Sequence, residues 1–319
     1  MHSTPTGRPK AHTEPDARPM LKIAYKPNYC HPLPESHRFP MLKYELIPEQ
    51  LLYEHSITEA NLFAPTPLSE AEVLRTHSAA YVQQLRTASL ERRAERRLGF
   101  PLSQALYQRE LDICGGTWQL CQAAQQYGVA MNVSGGTHHA YYDRGEGFCL
   151  LNDLAMAARL LLDSGRARQI LIIDLDVHQG NGTAALFAGE SRVFTFSMHG
   201  AANYPHPKEH GDLDLALPRC TEDGPYMRLL ADTLPRLIDE LEPDFAFYQA
   251  GVDVLATDKL GTLALSLAGC HQRDRYVYQQ LKQNAIPVVT VMGGGYSPRL
   301  RDIVQAHCNT YRAALEVFF

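Results

Sequence analysis

The stretch Gln169-Ile-Leu-Ile-Ile-Asp174-Leu-Asp176-Val-His178-Gln-Gly-Asn181-Gly-Thr183 decides how this chain folds. Its apolar run has strand length and is closed by a Gly-rich turn, the pattern of a strand buried on both faces. Asp174, Asp176 and His178 follow at its C-terminal edge, where open α/β sheets carry their chemistry. Alternation along an extended segment sends all three to one side, so two carboxylates and an imidazole converge. Such a point suits a divalent metal; taken alone, the same residues also read as a helix cap with a salt-bridged Asp.

Working outward, the other predicted strands end in similar residues. Val129–Val133 runs into Ser134-Gly-Gly-Thr-His138-His139, Asp244–Gln249 into Ala250-Gly-Val-Asp253, and Pro287–Met292 into Gly293-Gly-Gly-Tyr296. Val193–His199 is a further strand, and Lys22–Tyr25 a short first one that empties into a polar loop with His31, Glu35, His37 and Arg38. Helices are expected at Met41–Leu52, from the capping box Ser69-x-x-Glu72, at Ser78–Ser89, Ser103–Tyr127 (one long pattern whose break at Gly115-Gly116 reads as close packing against a neighbour), Asp153–Asp163 capped by Asn152, Thr183–Phe187, Pro225–Leu241, Ser266–Asn284 and Leu300–Glu316. Trp118 is expected in the core. Strands alternating with helices predict a mostly parallel sheet covered on both faces. Reactive residues at four strand ends favour a metal hydrolase over a set of caps.

The bulk composition narrows the class. Of 319 residues, 45% are hydrophobic and 20% charged, ample for a packed core. A net charge of −5 gives no footprint for nucleic acid, and no apolar run reaches membrane-spanning length. Glu91-Arg-Arg-Ala-Glu-Arg-Arg97 mixes signs at near-helical spacing and reads as a solvated face. Seven scattered cysteines without CxxC spacing, and no secretory signal pattern, predict a cytoplasmic protein. Residues 1–19 are polar and Pro-rich and are expected to be a disordered tail, leaving 20–319 as one catalytic domain.

From Leu21 onward, the motifs Gly-Gly-Thr-His138-His139, Gly147-Phe148, Asp174-x-Asp176-x-His178, Ala-Gly-x-Asp253 and Gly-Gly-Gly-Tyr296 resemble the histone deacetylase superfamily. The resemblance implies the single-domain, three-layer arginase/deacetylase fold. Arg144-Gly-Glu-Gly-Phe-Cys149, Asp176–Gly182, Asp258-Lys-Leu-Gly261 and Pro34–Pro40 are most similar to the class IV branch and its bacterial relatives.

Carried over by position, the resemblance implies one zinc ion on Asp176, His178 and Asp253, with a site left open for water and substrate. Two carboxylates neutralise the dication, and an oxygen-rich set of this kind also accepts iron(II). His139 would act as general base and then acid, Tyr296 would donate to the developing oxyanion, and Asp174 would orient His138. A monovalent cation, often potassium, is implied around Asp174, Asp176, His178, Ser197 and Met198. Gly147, Phe148, Tyr204, Leu260 and Gly294 would line the acyl tunnel. One departure is Asn181 where many relatives carry an Asp beside His139; a neutral amide stabilises imidazolium less, so His139 is expected to stay neutral to lower pH. The implied substrates are acyl-lysine peptides or proteins, with acetyl or longer acyl groups. The alternatives are an acetylpolyamine or other small acylated amine, and a non-catalytic acyl-lysine binder. Against the last, both histidines, all three ligands and the tyrosine are present.

Overall fold

The computed structural model describes residues 20–319, so the expected N-terminal tail lies outside the described residues. Eight strands form one sheet: β1 (Lys22–Ala24), β2 (Leu62–Phe63), β3 (Val129–Asn132), β4 (Ile170–Asp174), β5 (Val193–Gly200), β6 (Leu213–Leu217), β7 (Phe245–Gln249) and β8 (Val288–Val291). Their order is β2-β1-β3-β8-β7-β4-β5-β6, and every neighbouring pair is parallel. All strand C-termini therefore point to one edge. The four strands whose ends carry the motifs, β3, β8, β7 and β4, lie side by side at its centre.

Alternation within each central strand divides the core into two layers. Ile170, Ile172, Phe245, Phe247 and Val289 meet α6 (Asp153–Asp163), α7 (Asn181–Phe187) and the C-terminal half of α5 (Gln104–Tyr127). Leu171, Ile173, Ala246 and Tyr248 face a larger cluster under α1 (Lys43–Tyr53), α8 (Asp223–Leu241), α9 (Leu267–Gln283) and α10 (Leu300–Phe318). This is the three-layer arrangement expected, and each fully buried Leu or Ile contributes about 1.5–3 kcal/mol to it. The Asn152 side chain caps α6 by accepting from Ala155 N at 3.0 Å, as its position predicted.

α5 is one continuous helix, and a Cβ at Gly115 would collide with the Thr66 carbonyl, so the glycine pair marks close packing against a neighbouring backbone, as expected. Three points differ from expectation. Trp118 is only partly buried and stacks with the Arg166 guanidinium at 5.2 Å. Two edge strands were not expected. β2 has only two residues, too few for alternation to register, and β6 follows β5 after a short polar connection with no helix in it. The charged run does form a short helix, α4 (Arg92–Leu98), between α3 (Ala79–Arg86) and α5; α2 spans Glu70–Val73 with the predicted capping box formed.

Candidate active site

At the centre of the sheet edge, three donors close on one point. His178 Nδ1 lies 3.1 Å from both Asp176 Oδ1 and Asp253 Oδ2, and one donor atom from each residue lies within 4.8 Å of the others. The turn after β4 presents Asp176 and His178, and the turn after β7 presents Asp253. Backbone amides fix the carboxylates: Val177 N donates to Asp253 Oδ1 at 3.0 Å, and Gly294 N to Asp176 Oδ2 at 2.7 Å. Two buried carboxylates this close need a counter-charge. Burial opposes a proton on His178, but the hydrogen bonds and charges of Asp176 and Asp253 overcome that and push it up to about 10. Burial and the neighbouring Asp176 push Asp253 up to about 7. A donor set of two carboxylates and an imidazole fits a divalent ion in the place of that proton.

The tandem histidines follow β3 and stand over this cluster with different partners. His138 Nδ1 is 2.7 Å from Asp174 Oδ2; burial alone would lower its pKa, but the charges of Asp174 and Asp176 raise it. His139 Nδ1 is 2.6 Å from Asn181 Oδ1, and burial together with the charges of His138 and His178 holds it well below its ordinary value. Asn181 Nδ2 donates to Tyr141 Oη at 2.9 Å, and Tyr141 Oη donates to Glu209 at 3.4 Å. That chain orients the amide so that its oxygen faces His139. Nδ1 therefore carries the ring proton, and Nε2 is left as a free base.

A cavity of about 320 Å³ opens onto His139, His178 and Tyr296, with Gly147, Phe148, Tyr204 and Leu260 in its wall. The His139 and Tyr204 rings meet edge to face at 5.0 Å. Tyr296 N donates to Asp258 Oδ2 at 2.6 Å, while Asp258 Oδ1 accepts from Leu260 N at 2.8 Å, so one carboxylate fixes both. Of the predicted tunnel residues, Gly294 is not in the wall. It lies behind the carboxylates, and a Cβ there would overlap Asp253 Oδ2. In the predicted monovalent-cation set, Asp174 pairs with Ser197 in register across β4 and β5, with Met198 next to it. The Asp174 carboxylate is already engaged by His138 and by Asp176 N at 3.2 Å.

Residues 37–311 match the family profile described as the histone deacetylase domain. The chain belongs to the histone deacetylase family. Family membership makes it a hydrolase of the class that removes acyl groups from lysine amides. The chain is 42% identical over 296 residues to an uncharacterized protein of Picosynechococcus sp., covering 93% of this chain and 99% of that one. It is 28% identical over 269 residues to histone deacetylase 2 of Arabidopsis thaliana, covering 82% and 70%. Among solved structures it resembles an HDAC homolog complexed with SAHA, at TM-score 0.77 and 25% identity, covering 93% and 88%. The fold is thus the arginase/deacetylase fold. No helix among the described residues is long and apolar enough to cross a membrane.

Arg273 and Lys43, which help build this candidate site, carried no signal in the sequence, and Glu146 carried one only as part of the run Arg144–Cys149. Arg273, on α9, is fully buried and donates to Leu175 O at 3.1 Å and Gly251 O at 2.8 Å, tying together the two turns that hold the carboxylates. Glu146 is 9% exposed and accepts from Arg144 Nε at 2.9 Å and from Tyr204 Oη. Lys43 is fully buried and donates to Gly293 O at 3.1 Å in the turn before Tyr296. Periodicity marks where a charge stands on a helix or in a loop, and says nothing of which backbone carbonyls will come to meet it.

Proposed function

We propose that this chain is a zinc-dependent deacylase that hydrolyses acyl-lysine side chains of peptides or proteins. The observation that carries the proposal is the convergence of Asp176, His178 and Asp253 at the floor of a cavity whose wall presents His139 and Tyr296. A divalent ion held by those three would polarise the amide carbonyl and make bound water a stronger nucleophile; iron(II) suits the same donors. His139 Nε2 takes the proton from the attacking water and returns it to the departing lysine amine, since Nδ1 is committed to Asn181. A positioned base of this kind contributes about 10²–10⁴-fold. Tyr296 Oη donates to the oxyanion. Burial, then the charges of Asp253 and Asp176, hold that phenol far above its ordinary pKa, so it stays a donor. His138, whose proton is favoured by the charges of Asp174 and Asp176 against the effect of burial, offsets negative charge developing beside it.

The remaining expectations belong to the same reading. The register of Asp174 against Ser197 supports a potassium ion held mainly by carbonyls near Asp174, Asp176, His178, Ser197 and Met198. The runs Arg144–Cys149 and Asp176–Gly182 support placement in the class IV branch with bacterial relatives. Seven free cysteines support a reducing, cytoplasmic setting. The family match over 37–311 supports residues 20–319 as one catalytic domain.

The deciding experiment is hydrolysis of matched acetyl-, octanoyl- and myristoyl-lysine peptides and acetylated polyamines by zinc- or iron-loaded protein. Turnover of an acyl-lysine peptide is expected, with kcat lowered about 10²–10³-fold by Tyr296→Phe, the usual loss of an oxyanion donor. Release of acid from polyamines alone, or binding without turnover, overturns the proposal.

A further inference from the structure

The mouth of the cavity carries charge that the chemistry at its floor does not use. Among the described residues its lining includes Arg38 and Arg97 and no carboxylate. They come from two stretches that read as ordinary solvated surface, the polar loop before α1 and the last turn of α4. The structure brings both onto Phe148. Gly147 N donates to Arg97 O at 3.2 Å and Phe148 N to Leu98 O at 2.7 Å, so the end of α4 is a fixed part of the tunnel wall. His37 stacks on Phe100 at 5.5 Å and bonds Gly99 O at 2.8 Å, locking the loop to the same place.

The Arg38 guanidinium then lies 5.0 Å from the Phe148 ring centre, and among the described residues no carboxylate pairs with it. Arg97, with 45% of its side chain exposed, faces Glu146 at 3.6 Å. Glu146 is already shared with Arg144 and Tyr204, while Asp143 meets Arg144 at 3.2 Å. Among the described residues Arg38 is thus left without a carboxylate partner and Arg97 with only a shared one, where the part of a substrate outside the tunnel would lie.

We propose that Arg38 and Arg97 form an anion-reading rim that selects acylated amines with a carboxylate beside the acylated chain. The inference rests on the reading of the cavity as a deacylase site. A guanidinium fork matches a carboxylate with two parallel hydrogen bonds, and a rim of one sign draws in anions while repelling polycations. The carboxylate comes either from an acidic residue flanking acyl-lysine in a peptide or from the α-carboxylate of free Nε-acyl-lysine. Acylated polyamines, cationic beyond the amide, are disfavoured.

The test holds the acyl group constant and measures kcat and KM of the metal-loaded enzyme. The substrates are Glu-flanked, neutral and Lys-flanked acyl-lysine peptides, free Nε-acyl-lysine, its carboxamide, and N-acetylputrescine. The Glu-flanked peptide is expected to exceed the Lys-flanked one about tenfold in kcat/KM, mainly through KM, as two exposed ion pairs allow. That ratio should shrink at about 0.5 M salt and fall toward one in Arg38→Gln/Arg97→Gln. Arg38→Lys/Arg97→Lys should retain part of it, which a purely structural role for the arginines would not predict. Comparing free acyl-lysine with its carboxamide identifies the source of the carboxylate.

Equal rates across the set, a polyamine preference, or a ratio that survives in the double Gln variant overturns the rim. Fluorescence anisotropy with the labelled Glu- and Lys-flanked peptides reads the same preference without turnover. If no substrate is hydrolysed, the deacylase reading fails, and the binding ratio still decides the rim.

Discussion

The floor of the cavity and its mouth are built in opposite ways. At the floor, Asp176, His178 and Asp253 are held by backbone amides and by each other, on turns that leave adjacent central strands. At the mouth, Arg38, Arg97 and Tyr204 come from three separate loops or helix ends; backbone bonds anchor the segments beneath them, but the side chains themselves are held by stacking and by one shared carboxylate, Glu146. The floor is desolvated, so each charge there acts at low dielectric and a misplaced one costs several kcal/mol. The mouth is wet and its charges are screened. Reaction type is thus fixed by the rigid sheet edge, and substrate choice is left to elements that can change without disturbing it.

The sharpest way to break this contrast is to remove a floor carboxylate. Asp253→Ala is expected to abolish metal stoichiometry in elemental analysis and to lower kcat/KM by at least about 10³-fold, as loss of one member of a catalytic unit does. Retention of one metal per chain would show that the three donors are not the site.

A subtler change refines it. Asn181→Asp places a carboxylate against His139 Nδ1 and favours the imidazolium, so the acidic limb of the kcat/KM profile should move to higher pH. The base works in its neutral form, so the variant loses activity first at the acid end. An acidic limb that stayed in place would mean that His139 is not the group being titrated. The smallest effect is expected at the mouth: Tyr204→Phe removes a hydrogen bond to Glu146 but keeps the ring against His139, and KM should rise up to about fivefold with kcat little changed.

The same contrast explains what the sequence discloses. The floor was legible because strand periodicity and strand-end position locate Asp176, His178, Asp253, His138, His139 and Tyr296 before any coordinate is known. Helices α2 and α6 were legible through their caps, Ser69 and Asn152. At the mouth Tyr204 was reached only through the resemblance, and Arg38 and Arg97 not at all, because they acquire their role from packing between segments about sixty residues apart and local pattern marks them only as solvated. Gly294 and Arg273 failed for a third reason. Gly294 was expected in the wall from the resemblance alone, and what its bare backbone approaches is the Asp253 carboxylate. Arg273 sits in a charged helical run and is buried because two strand-end carbonyls turn toward it.

The strand order also bears on how the molecule is made. Among the described strands β7 and β8 come latest in the sequence, yet they are the central pair of the sheet, joining β2-β1-β3 to β4-β5-β6. Until they arrive, the nascent chain holds two half-sheets, each with an unsatisfied inner edge, and no complete ligand set, since Asp253 follows β7. Open strand edges of that kind invite pairing with other chains. Insertion of β7 and β8 is therefore a keystone step, which seals both edges and brings Asp253 to Asp176 and His178. Truncations before Val291 should leave an insoluble product, and metal uptake during translation should report that the keystone is in place.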